Sequence, residues 1–266
     1  MIDGLGRYGV ALSVDDDLEV HAKVVEELGY SAIWVAGGQL ATLEPLLRIL
    51  RATTRVAVVP GIIPLDVHGA AAIAELYAEA ERIAPGRLVV GLGAQAGGIA
   101  ALNGALDELD ATVPRERRLL AALGPRKLDL ARERFGGAVT LLVDPGFTAW
   151  ARERLGPGST LVVDQMVVLD DDPATARAAA REPLRFLATV PGYAAAFRRM
   201  GFTDTDIRDL SDGLVDAAFA WGDADRVVAR LREQEAAGAD HVVIGALGGP
   251  GELATLEALS DELSPR

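Results

Sequence analysis

The chain has 266 residues, half of them hydrophobic and 24% charged, a balance that supports a sizeable core and excludes wholesale disorder. Its formal net charge of -13 repels phosphate backbones and anionic membrane surfaces, which argues against nucleic acid and membrane as partners. With no cysteine, disulfides, thiolate metal sites and a cysteine nucleophile are excluded as well. The start, Met1-Ile2-Asp3-Gly4, has neither the basic residues nor the apolar stretch of a secretory signal. No apolar run approaches the roughly 18 residues of a membrane span, so a cytoplasmic location is the expectation.

Short apolar runs alternate with longer helical patterns along the whole chain. Tyr8 to Leu12 reads as a strand, followed by a helix from about Asp16 to Leu28. Asp16 or Asp17 supplies acid at the helix start, and Gly29 stops it. Ala32 to Val35 is the second strand, then Gly37-Gly38 and a helix through Leu43 to Leu50. Arg55 to Val59 is the third, closed by "PGIIP", Pro60 to Pro64, before a helix over Ala70 to Ile83. Pro85-Gly86 leads into the fourth strand, Leu88 to Leu92. Arg118 to Phe135 and Gly137 to Gly156 each read as a strand turning into a helix at a Gly/Pro corner. After Thr160 to Leu169, Asp172 can cap the next helix, with Pro173 in its first turn. Ala174 to Gly238 is wholly helical in pattern, with breaks near Pro191-Gly192, Gly201 and Gly222. Asp240 to Ile244 is the eighth run, and a last helix follows Gly248-Gly249-Pro250-Gly251. Eight such units with near-continuously apolar strands predict an α/β fold, a parallel (β/α)8 TIM barrel. A doubly wound open sheet has the same local pattern and is the rival. No linker or break in composition divides residues 1–266, so one domain is expected.

In such a barrel the chemistry sits where strands run into helices. The breakers Gly37-Gly38, Gly61, Gly93, Gly124-Pro125, Asp144-Pro145-Gly146 and Gly248-Gly249 fall there. Turn geometry alone explains each of them; together they would form a mouth with little side-chain bulk and many backbone N–H groups, suited to a planar ligand carrying phosphate. "LGPR", Leu123 to Arg126, would open a helix with its positive end outward, and Arg126 or Lys127 would add charge. "GLGAQA", Gly91 to Ala96, satisfies G-x-G-x-x-G/A, but it follows the fourth strand and no second strand bearing an acid follows at the right distance. The dinucleotide fingerprint is therefore a false positive. His21, His68 and His241 show no metal-ligand spacing, so no metal site is expected. Only His68 lies near the mouth, as a weak acid/base candidate against an ordinary loop histidine. Trp34, ending strand two, could stack on a flavin-like ring or simply pack the core. The runs Asp15-Asp16-Asp17 and Asp170-Asp171-Asp172 fit helix starts better than Mg²⁺.

In chain order, "EELGYSAIWVAGG", "TTRVAVVPGIIPL", "PGRLVVGLGA", "LAALGPRKLDLA" and "GFTDTDIRDLSDGLVDAAFAWGDADRVVARLREQEAAGADHVVI" resemble the bacterial luciferase-like superfamily. Within it, they resemble the coenzyme F420-dependent oxidoreductases. The resemblance implies a luciferase-like barrel that binds F420, or alternatively FMN, at its C-terminal mouth and transfers a hydride to or from an organic substrate. Gly61-Ile62 matches the strand-three bulge, often a non-prolyl cis peptide, that backs the ring. Gly93 and Gln95 match the loop along the cofactor, and Ala122, Leu123, Gly124 and Pro125 match the corner near its tail and phosphate. Relatives usually carry a Ser-His pair where Ala94-Gln95 stands, and an acid or histidine where Gly37-Gly38 stands. The mouth is thus expected to lack the usual proton-handling groups. Besides an F420-dependent oxidoreductase, two readings stand open: an FMN-dependent monooxygenase, and a barrel that has lost catalysis and serves as a cofactor-binding scaffold. The expected partner is a small-molecule substrate, and the alanine-rich Ala70 to Ala80 helix would allow a homodimer.

Overall fold

The parallel strands need a crossover after each of them, and the helical patterns supply it. In the computed structural model, which describes residues 2–94 and 98–263, ten strand segments form one parallel sheet. They are β1 (Tyr8–Leu12), β2 (Ala32–Val35), β3 (Ala57–Pro60), β4 (Ile63–Pro64), β5 (Val90–Gly93), β6 (Arg118–Ala121), β7 (Gly137–Leu141), β8 (Thr160–Leu169), β9 (Ala220–Gly222) and β10 (His241–Ala246). The α-helices are α1 (Leu18–Glu27), α2 (Glu44–Ala52), α3 (Ala70–Ile83), α4 (Gly98–Leu109), α5 (Pro125–Arg134), α6 (Pro145–Leu155), α7 (Pro173–Leu187), α8 (Pro191–Arg199), α9 (Asp204–Asp209), α10 (Asp212–Ala218), α11 (Ala224–Ala236) and α12 (Glu252–Leu263).

The sheet order β3-β2-β1-β10-β8-β7-β6-β5-β4 curls back on itself, because β3 and β4 are two pieces of one interrupted strand. Val58 of β3 bridges Leu88, and Ile63 of β4 pairs with Leu92, so both pieces meet the β5 segment. This near-closure makes a barrel and removes the open-sheet rival. Inside it, alternate residues Trp34, Val59, Val89, Leu119, Val139, Val162 and Val243 form one buried cluster. The intervening residues, such as Ile33, Val58, Val90, Leu120, Val163 and Ile244, face the helices.

Local signals act as the sequence indicates at most ends. Asp172 accepts from the Thr175 N–H at 2.8 Å, and Gly29 takes φ +88° after α1. At α1 itself Asp17 occupies the N-cap without a side-chain bond. The segment expected to be wholly helical departs in one place: Ala220–Gly222 is strand β9. At ten residues β8 outruns β7, which ends opposite Asp164, and β9 pairs with the exposed edge at Val167 to Leu169. Three residues are too few for a period to appear in the sequence. Helices α7 to α10 lie between β8 and β9 and pack a second core around Leu184, Phe197, Leu214, Phe219 and Trp221. Among the described residues no helix is long and apolar enough to cross a membrane.

Candidate active site

The seam between strand three and strand four shapes the mouth. The Gly61–Ile62 peptide is cis, and the chain bulges there between β3 and β4. Three glycines make room for it. A Cβ on Gly91 would stand 2.1 Å from the Pro60 carbonyl oxygen, one on Gly93 2.5 Å from Ile62 Cδ1, and one on Gly37 2.5 Å from the Ile62 carbonyl oxygen. The glycines of the "GLGAQA" stretch therefore admit the bulge of the neighbouring strand. Gly37, standing where relatives place an acid or histidine, admits it from the other side.

Trp34 lies underneath. It is buried, and a Cβ on Gly61 would sit 3.1 Å from its Cε3. At its other end the indole N–H donates to His241 Nε2 at 3.0 Å, with the two rings stacked at 5.8 Å. Since indole is a donor only, His241 Nε2 must be unprotonated, and Nδ1 donates to the Gly6 carbonyl at 3.0 Å. Burial pushes the His241 pKa down to about 4, so the ring is neutral.

A cavity of about 480 Å³ opens over this floor at the C-terminal ends of the strands. One wall is Gly61 and Ile62; another runs from Ala121 through Ala122, Leu123, Gly124 and Pro125 to Arg126 and Lys127. Val139 and Leu141 of β7, Asp164 of β8, and Val190, Gly192 and Tyr193 at the start of α8 complete it. The walls are predominantly apolar, and the strand ends are not plugged. At one end lies the N-terminus of α5, where Gly124 is the N-cap and no side chain caps the helix. Arg126 is exposed there, while half-buried Lys127 makes no ion pair among the described residues. Burial lowers the Lys127 pKa.

Eight of the residues singled out from sequence thus share this cavity: Gly61, Ile62, Ala122, Leu123, Gly124, Pro125, Arg126 and Lys127. Trp34 and Gly93 lie beneath it, and Gln95 is outside the described residues. His68 bonds through Nε2 to the Leu40 carbonyl at 3.0 Å and does not line the cavity.

Asp164 is an ionisable group in the mouth that the sequence reading did not single out. It sits in "TLVVDQMVVL" two residues beyond inward-facing Val162, and so points into the mouth. It is part-buried in the cavity wall, and desolvation pushes its pKa up to about 7. Tyr193, opposite, has its pKa raised by burial and by the Asp164 charge. A single ionisable residue in a mostly apolar strand was the available signal; reading the strand as near-continuously apolar passed over it.

The comparisons with known proteins agree with the barrel. Residues 14–119 match the family model of the luciferase-like monooxygenases. The chain has the luciferase-like barrel fold. A coenzyme F420-dependent tetrahydromethanopterin reductase from Methanopyrus kandleri superposes on this barrel with a TM-score of 0.75 at 17% identity, covering 97% of this chain and 98% of that one. An F420-dependent secondary alcohol dehydrogenase gives 0.72 at 13%, covering 96% and 97%. The oxygenating constituent of a 3,6-diketocamphane monooxygenase from Pseudomonas putida, in complex with FMN, gives 0.65 at 14%, covering 98% and 99%. No protein of curated function matches the chain in sequence.

Proposed function

We propose that this barrel is an oxidoreductase that holds coenzyme F420 in the cavity beside Gly61 and Ile62, acts on a small organic substrate, and works in the cytoplasm without nucleic-acid or membrane partners. The observation that carries the reading is the continuity of the slot: an apolar wall at the bulge leads without interruption to the uncapped N-terminus of α5. A ring and a phosphate-bearing tail need those two environments side by side. Gly61 and Ile62 would back the ring, and Ala122 to Pro125 would line the passage. The first turn of α5, with Arg126 and Lys127, would take the phosphate. When bound, reduced F420 supplies a hydride. An unpaired, half-buried lysine beside a helix N-terminus has no structural role of its own, and an anion answers it.

FMN carries a compact phosphate that the same helix end would serve, and the monooxygenase-like neighbour is the reason to test it. An open cavity with a part-buried acid in its wall speaks against a barrel emptied of catalysis. The homodimer through α3 belongs to this proposal, since Ala71, Ala72 and Ala78 are exposed on that helix. Fluorescence titration of the purified protein with F420, FMN and NADPH in parallel is the test. The expected result is F420 binding with a dissociation constant on the order of micromolar or tighter, and weaker binding of the other two. Absence of binding to both F420 and FMN would sink the proposal.

A further inference from the structure

Asp164 lines the first cavity, and the residues beside it line a second. The second, of about 700 Å³, occupies the other half of the mouth, at the ends of β1, β2 and β10. It is lined mainly by apolar side chains, among them Leu12, Leu40, Met166 and Leu247. Its single charged lining residue, Glu252, is held at the rim by Ser13, whose hydroxyl and backbone N–H donate to Oε2 at 3.0 and 3.1 Å. Gly245 and Met166 belong to this cavity and stand beside the acid. A Cβ on Gly245 would lie 3.6 Å from Asp164 Oδ1 and 3.7 Å from Met166 Cγ.

In register, Asp164 faces Leu141 of β7 and Val243 of β10, neither of which offers a polar side chain. Among the described residues its carboxyl has no hydrogen-bond or ion-pair partner, and desolvation is the sole cause of its shift. The titratable groups that share its surroundings are Tyr193 from α8 and, at the far end of the first cavity, Arg126 and Lys127 from α5. A part-buried acid left unpartnered in an apolar cavity wall has no structural purpose, since an apolar residue would pack there at less cost.

We propose that Asp164 is the catalytic acid and base of the site, exchanging a proton with the oxygen of an uncharged carbonyl or alcohol substrate that occupies the second cavity and reaches the acid past Gly245 and Met166. This rests on the assignment of the first cavity to the cofactor. In the carbonyl direction the substrate carbon accepts a hydride, which a reduced deazaflavin in the first cavity would supply, and the C=O π pair moves onto oxygen. That oxygen takes the proton of the Asp164 carboxyl, leaving a carboxylate that solvent reprotonates. In the alcohol direction each move is reversed. Apolar walls keep both forms of the acid accessible near neutral pH, as a group serving both directions requires. They also set the substrate class: an anion would face a carboxylate in a chamber without a cation, and a cation would lock Asp164 in its charged form.

Infrared difference spectroscopy tests this with cyclohexanone and 4-oxocyclohexanecarboxylate as probes. The wild-type protein is expected to show a protonated-carboxyl band that titrates near neutral pH and is lost in Asp164→Asn. Cyclohexanone should shift the band to lower frequency, and the carboxylate probe should leave it in place. A band that is missing from the wild type at about pH 5, persists in Asp164→Asn, or fails to respond to cyclohexanone overturns the proposal. So does an equal response to the carboxylate probe. Titration of the same samples with F420 and FMN is scored separately: failure there removes the cofactor assignment and leaves the carboxyl band to be read on its own.

Discussion

Asp164→Asn is expected to stabilise the protein above neutral pH and to change it little near pH 4. The sign follows from proton binding. The folded state holds the Asp164 proton up to about pH 7, whereas the unfolded chain releases it near the ordinary carboxyl value of 3.8. Between those limits the folded state binds more protons, so stability falls as pH rises, and the full cost is present above pH 7. At roughly 1.4 kcal/mol per pH unit the ceiling is about 4 kcal/mol. Contact with cavity water lowers it, and a gain of about 2 kcal/mol at pH 8 is the expectation. His241 works in the opposite sense, since its pKa is depressed to about 4: the stability of its neutral form is present above 6.5 and lost as pH falls toward 4. That loss is common to both proteins and cancels in the difference. Urea denaturation of the two proteins at several pH values reads the effect directly. A difference that does not grow with pH would mean that Asp164 is already ionised in the folded state.

Trp34→Ala is expected to cost about 4 kcal/mol, the larger effect of the two. The indole is buried between the bulge and His241, and it fills the barrel under the cavity. Its removal opens a void beneath Gly61 and leaves His241 Nε2 buried without its donor. Trp34→Phe separates the two contributions, because it keeps most of the ring and deletes only the N–H. A cost of about 2 kcal/mol is expected for it. The His241 pKa should rise from about 4, since the ring nitrogen no longer faces a donor when it takes a proton. Equilibrium denaturation gives the first quantity and an NMR titration of the imidazole the second. An unchanged His241 titration in Trp34→Phe would contradict the tautomer assigned to it.

Much of the fold was legible because a barrel repeats one simple unit. Each strand is apolar on both faces and each helix on one, so the alternation appears in the residues themselves. Glycine and proline at the corners were equally plain. What those glycines admit was not, since Gly91, Gly93 and Gly37 answer to the carbonyls and side chain of strand three, which lie on other parts of the chain. Strand β9 escaped because its partner edge exists only once β8 has outrun β7. Asp164 was readable in principle, as one acid within an apolar run. Its neighbour Tyr193 lies in a helix that sequence alone does not place over the mouth. Resemblance to relatives pointed toward the bulge and the α5 corner, and away from the acid, because it drew attention to the Ser-His pair this chain lacks.

The slot itself is the centre of the account, and Gly124→Leu tests it most directly. Gly124 has extended backbone that any residue adopts, at φ -123° and ψ 158°, and a Cβ there meets nothing within 4 Å. Leucine therefore fits the fold, with a loss of about 1 kcal/mol at the N-cap, and fills the passage between ring and phosphate. A melting temperature within about 3 °C of the wild type and an F420 affinity at least about tenfold weaker are expected. F420 binding unchanged by Gly124→Leu would place the cofactor elsewhere and contradict the proposed slot.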